Sequence, residues 1–263
     1  MMTSVGGTLT GRGGDILIID DPLKPDDAYS DVKRNAANNW FTNTLLSRLD
    51  DKRNGGWDLQ AFLSTGEAEV EHLLATAAKL GRPARRERAL DFGCGVGRLT
   101  RAFARRFDET VAIDVSDRML EHARRLNADT PNLTFTNSDK PPAGPFDLVV
   151  ANLVLQHLPS KALARVNIVR LIEAARPDGL VVFQLPTRLP LAQRLQPRRR
   201  IYTALRTYFG PGRLHAVGLH PVRILALPER DVHATVESAG ATVAHTESAA
   251  AAGQRYYVHH RWP

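Results

Sequence analysis

Three glycines and two carboxylates give residues 91–114 their chemical interest. Asp91-Phe-Gly93-Cys-Gly95-Val-Gly97 follows the short apolar run that starts at Arg88, and Arg98 to Phe107 continues with helical spacing. Strand, glycine turn and helix in that order bring backbone N–H groups close to a nucleotide-like ligand. A side chain at Gly93, Gly95 or Gly97 would hold the ligand away and forbid the turn. A dinucleotide fingerprint would place another glycine or an alanine three residues after Gly95, where Arg98 stands, so the spacing is GxGxG. Asp91 also argues against a pyrophosphate, which a carboxylate repels. Asp114 closes a second apolar run, Glu109-Thr-Val-Ala-Ile-Asp114, seventeen residues beyond Gly97. In a doubly wound sheet that position lies beside the glycine loop, where a carboxylate can accept from both ribose hydroxyls. Val115 and Met119 are then candidate apolar contacts near such a ligand.

Further elements must position these groups. Leu133-Thr-Phe-Thr136 reads as a third strand leading into Asn137-Ser138-Asp139, and Phe146-Asp-Leu-Val-Val-Ala-Asn-Leu153 as a fourth, with Asn152 at its carboxyl end. Open α/β sheets bind ligands at that edge. His157 follows in Leu155-Gln-His-Leu-Pro159; it is a candidate general base, with packing or capping as its competing role. Glu67 to Leu80 predicts a helix with an apolar stripe at Val70, Leu73, Leu74 and Ala77. Ala164 to Ala175 predicts another, ended by Arg176-Pro-Asp-Gly179 before a fifth strand, Leu180 to Gln184. Glu229–Ala239 reads as a helix, with strands at 241–246 and 254–260 after it. Strands alternating with helices predict an α/β protein whose parallel sheet is wrapped on both faces.

The glycine loop, Asp114, Ser138-Asp139 and the 146–159 segment, in that order, resemble class I S-adenosylmethionine-dependent methyltransferases over residues 57–263. The resemblance implies a Rossmann-like doubly wound sheet, mostly parallel with an antiparallel C-terminal strand, and S-adenosylmethionine as cofactor. It places Asp91, Gly93, Gly95, Gly97, Asp114, Val115, Met119, Ser138, Asp139 and Asn152 at that cofactor, with Asp139 accepting from the adenine amino group. The implied activity is methyl transfer to a small molecule, in which alignment supplies much of the rate. No catalytic residue is assigned beyond the candidate His157, and no metal is expected.

Composition changes at Gly55-Gly56. Residues 1–56 hold eight Asp, no Glu and seven Lys or Arg, with five of the ten asparagines; residues 57–263 carry twenty-eight basic and twenty acidic groups. Asp15-Ile-Leu-Ile-Ile-Asp20-Asp21-Pro22 is a strand pattern ending in two carboxylates, as in a Walker B element, where one acid holds Mg²⁺. With Leu23 to Ser30 and Trp40 to Arg53 it resembles the large terminase subunit of tailed phages over about residues 1–55. No GxxxxGK[ST] phosphate cradle occurs in the chain. The segment therefore reads as a fragment without ATPase activity, too small to fold alone.

Between Leu185 and Arg223 there are eight arginines and no acids, with Tyr202, Tyr208 and Phe209 among them. Two roles stand open: an insertion capping the acceptor site, where arginines would suit an anionic molecule, or a nucleic-acid surface. The Asp/Asn-Pro-Pro-aromatic motif of amino-methylating DNA enzymes is absent, since Ala151-Asn-Leu-Val154 stands there. Cys94, the single cysteine, lies in the glycine loop rather than after a proline, and precludes an internal disulfide. A third possibility is a non-catalytic fusion product. With no signal-like segment and no apolar run of about 18 residues, the expected location is the cytoplasm. The net charge of +7 favours anionic partners without naming one.

Overall fold

Apolar runs around residues 90, 111 and 149 form the centre of a seven-stranded sheet. The computed structural model describes residues 59–142, 144–189, 201–202, 204–205, 208–209, 225–249 and 253–261. The elements are α1 (Leu59–Lys79), β1 (Arg88–Phe92), α2 (Thr100–Ala104), β2 (Glu109–Asp114), α3 (Asp117–Leu126), β3 (Leu133–Asn137) and β4 (Phe146–Ala151). A 3₁₀ turn (Leu155–His157), α4 (Lys161–Ala174), β5 (Ala175–Leu185), α5 (Glu229–Ser238), β6 (Ala241–Ala249) and β7 (Gly253–His260) follow. The strand order is β3-β2-β1-β4-β5-β7-β6. Strands β1 to β5 pair in parallel, while β7 runs antiparallel to both β5 and β6. This is the Rossmann-like arrangement expected, with the predicted antiparallel finish.

The chain divides into two compact units, one of residues 63–188 with 225–263 and one of residues 1–62 with 189–224. The first holds the sheet. In the second, residues 201–202 and 204–205 have helical backbone, and Leu205 O accepts from the N–H groups of Tyr208 and Phe209. The terminase-like stretch with Asp20 and Asp21 lies outside the described residues, as does most of the arginine-rich segment. No described helix is long and apolar enough to cross a membrane.

Because side chains alternate across a strand, each sheet face builds its own core. Leu90, Phe92, Val149, Ala151, Val181, Phe183 and Tyr256 pack beneath Ile168, Leu171 and Ile172 of α4 and Val232 and Val236 of α5. Ala89, Leu148, Val150, Val182 and Tyr257 face the other way, against Val70, Leu73, Leu74 and Ala77 of α1 and Phe103 and Phe107. Charge pairs reinforce α1 on this side. Glu67 binds Arg105 and Arg106 at 2.7 and 2.8 Å, Glu69 binds the buried Arg255 of β7, and His72 meets Glu247 of β6 at 3.0 Å.

Several boundaries differ from the sequence reading. Helix α1 starts eight residues before Glu67, running through Gly66, whose missing side chain lets the helix touch the Arg98 carbonyl; a Cβ there would lie 2.2 Å from that oxygen. Helix α2 is only a short piece of the expected 98–107 segment. No helix joins β3 to β4 among the described residues, which corrects the strict strand–helix alternation. Pro141, Pro142 and Pro145 crowd that connection and cannot serve as interior helix residues. The turn expected at Arg176–Gly179 is instead the start of β5, with a register irregularity opposite Phe146 and Leu148. Gly179 fits there because a Cβ would come within 2.8 Å of the Asp147 carbonyl.

Candidate functional site

The carboxyl ends of β1, β2 and β3 converge on Asp114. Parallel register sets Phe92 beside Ile113 and Asp114 beside Asn137. The Ile113 carbonyl accepts from the N–H groups of Gly93 (2.8 Å) and Cys94 (3.0 Å), and the Cys94 carbonyl from Gly97 N–H (2.9 Å). Asp114 Oδ2 then accepts from Gly95 N–H and Oδ1 from Ser116 N–H, both at 2.9 Å. Its own carbonyl accepts from Ser138 N–H at 3.1 Å. One residue therefore joins the glycine loop, the start of α3 and the loop after β3. Burial raises the Asp114 pKa, opposed by the N–H groups of Ser116, Gly95 and Val115. Each oxygen still has lone-pair capacity for a second donor.

The three loop glycines all have positive φ, +74°, +56° and +81° for Gly93, Gly95 and Gly97. Their surroundings differ. A Cβ on Gly93 would lie 2.4 Å from Val154 Cγ2, and one on Gly97 would lie 2.9 Å from Asn127 Nδ2, whereas one on Gly95 would meet nothing within 4 Å. The outer glycines accommodate protein, and the middle one opens onto free space beside the Asp114 carboxylate.

Asp91 is 2% exposed and accepts from Thr100 Oγ1 at 2.6 Å. Burial pushes its pKa up to about 6, against the lowering influence of the Thr100 hydrogen bond and of Arg98. The half-buried Cys94 thiol is pushed far up, chiefly by burial and then by Asp91 and Asp114, so it is no nucleophile at neutral pH. Val115 is 62% exposed, and Met119 donates its N–H to the Ser116 hydroxyl that caps α3. The Ser138 hydroxyl is engaged in its own turn, donating to Lys140 O at 2.7 Å and accepting from Lys140 N–H at 3.1 Å. Asp139 is exposed beside it.

Asn152 and His157 belong to the β4 end of the same edge, which reaches the loop through Val154 against Gly93. His157 ends the 3₁₀ turn with its Nε2 3.3 Å from Gln156 Nε2. Burial lowers its pKa to about 4, so it is neutral at physiological pH and a weak base. Sequence reasoning missed Thr100, although a hydroxyl one turn past a GxGxG loop could have signalled a partner for Asp91. It also missed Ser116, whose helix-capping position two residues after Asp114 was readable. Leu153, with φ of +59°, carried no signal, because leucine is not a left-handed residue.

A family model described as a methyltransferase domain matches residues 62–216. A trans-aconitate 2-methyltransferase of Methylobacterium nodulans is 31% identical over 198 residues, 71% of this chain and 69% of that protein. A malonyl-[acyl-carrier protein] O-methyltransferase of Halalkalibacterium halodurans is 35% identical over 105 residues, 36% of this chain and 37% of that protein. The match thus spans little more than a third of one relative and about two thirds of the other. Among solved structures, a magnesium protoporphyrin IX methyltransferase from Synechocystis, with bound SAH, superposes with a TM-score of 0.56 at 20% identity, covering 87% of this chain and 99% of that one.

Proposed function

The chain belongs to the methyltransferase-domain family, and on that premise we propose that it transfers the methyl group of S-adenosylmethionine to a small anionic acceptor. The observation that carries the reading is the open space over Gly95 beside Asp114. Asp114 would hold the ribose hydroxyls, and Gly95 would let the cofactor approach the backbone, while Gly93 and Gly97 supply the turns that shape the loop against Val154 and Asn127. Val115, Met119, Ser138, Asp139 and Asn152 would border it, and Asp91 would offer negative charge to its cationic end.

Bound there, the cofactor supplies an electrophilic methyl on a sulfonium. The residues need only orient the acceptor in line with it and exclude water. A carboxylate acceptor has no proton to lose, so its O-methylation requires no general base. A neutral, weakly basic His157 is compatible with that chemistry. The eight arginines and absent acids of 185–223 favour an anion. The two relatives named for trans-aconitate and malonyl-[acyl-carrier protein] favour a carboxylate acceptor. Arginines mixed with an exposed Tyr208 support a second reading, nucleic-acid modification, which steep salt dependence of oligonucleotide binding would reveal. Residues 57–263 form the catalytic domain in this reading, and residues 1–56 an inert terminase-like extension.

Calorimetric titration tests the core of the proposal without knowledge of the acceptor. S-adenosylmethionine and S-adenosylhomocysteine are expected to bind, and Asp114→Ala to weaken both by about 1.5–3 kcal/mol, the scale of hydrogen bonds to a charged group. Unchanged affinity in a folded Asp114→Ala protein would remove Asp114 from the site.

A further inference from the structure

Leu153 has φ of +59° and is the non-glycine residue with positive φ among those described. L-residues avoid this conformation because Cβ approaches the carbonyl oxygen, and leucine lacks the polar side chain with which asparagine or aspartate offsets it. Strain of this kind persists only where surrounding structure fixes it. Here both flanks are fixed. Ala151 ends a fully buried β4, while on the other side Leu155 is fully buried and the Gln156 carbonyl accepts from Leu225 N–H at 2.8 Å. Between these anchors, Val154 directs both its methyls at Gly93, where a Cβ would lie 2.4 and 2.8 Å from them.

We propose that Leu153 is a positioning residue of the cofactor site: its left-handed backbone reverses the chain after β4 so that Val154 packs on Gly93 and holds the glycine loop in its ligand-ready shape. The inference rests on the cofactor reading above and adds to it a device on β4 that fixes the loop on β1. It requires the backbone conformation at 153, not the leucine side chain. Cofactor affinity should therefore follow the ease with which a residue adopts positive φ.

The test is S-adenosylhomocysteine binding by calorimetry, with thermal melts confirming folding, for the full chain and four variants. Leu153→Gly and Leu153→Asn should bind within a few-fold of the unaltered protein. Leu153→Val, β-branched and ill-suited to this region, should lose about tenfold or more. Val154→Ala should also weaken binding, since it removes the methyls against Gly93 while leaving residue 153 intact. That arm keeps the test decisive if Leu153→Val fails to fold. Equal binding by the folded Leu153→Val and Val154→Ala proteins overturns the proposal, as does loss of binding by Leu153→Gly. Failure of the unaltered protein to bind S-adenosylhomocysteine would instead overturn the cofactor reading, and this inference with it.

Discussion

Asp91 has a carboxylate nearly sealed from water under the glycine loop, with Thr100 donating to it. Its folded pKa of about 6 stands above the ordinary value, so this group favours folding fully at low pH and loses that contribution as pH rises through about 6. Above that point the ionised carboxylate opposes the empty fold by about 3 kcal/mol, on the scale of 1.36 kcal/mol per unit. Asp91→Asn should raise the melting temperature of the ligand-free protein at pH 8 by several degrees, the gain vanishing toward pH 4. Affinity for the cationic S-adenosylmethionine should fall at the same time. Thermal melts across pH 4–8 together with calorimetry check both; a lower melting temperature for the variant at pH 8 refutes the assignment of the charge as a cost. On the proposed cofactor reading, function explains why a residue that weakens the fold stands there. The position of Asp91 was legible from its spacing to Gly93, but its titration was not, because burial and the Thr100 contact arise only on folding.

The glycine loop works as an element because its members have different neighbours. Gly95→Val should fold with some loss of stability from its positive φ, and should fail to bind cofactor, its Cβ entering space with no protein atom within 4 Å. Gly93→Val should fail earlier, as a loss of stability, since its Cβ would collide with Val154. Circular dichroism melts and titration separate the two outcomes; normal binding by Gly95→Val would reduce the loop to a structural turn. Strands β1, β2 and β4 were readable to within two residues because strands covered on both faces form continuous apolar runs. Elements governed by distant contacts were less legible. The first turns of α1 pass through Ser64-Thr65-Gly66, which reads as a helix breaker until the Arg98 carbonyl is seen beside it. The start of β5 reads as a proline–glycine turn until Gly179 is placed against Asp147. Leu153 shows the same limit, since its backbone is set by anchors on either side.

At the scale of the molecule, the family match begins at residue 62 and α1 at Leu59, close to the composition break at Gly55-Gly56. A protein beginning at Trp57 should fold and bind S-adenosylmethionine within about twofold of the full chain, a difference well under 1 kcal/mol. Neither protein should hydrolyse ATP. Comparing melting temperature and affinity checks this, and a large loss of either would make the N-terminal segment part of the working fold. The sheet order carries a different consequence, for synthesis. Strand β6 precedes β7 in the chain, yet β7 lies between β5 and β6 and is hydrogen-bonded to both. While a ribosome has delivered residues only as far as Ala249, β5 has a bare edge and β6 has no strand to join. An unpaired edge of that kind invites pairing with other chains. Translation stopping between Ala249 and Gly253 would thus release five paired strands with a bare β5 edge and an unattached β6, a species for chaperones and proteases rather than a slower enzyme.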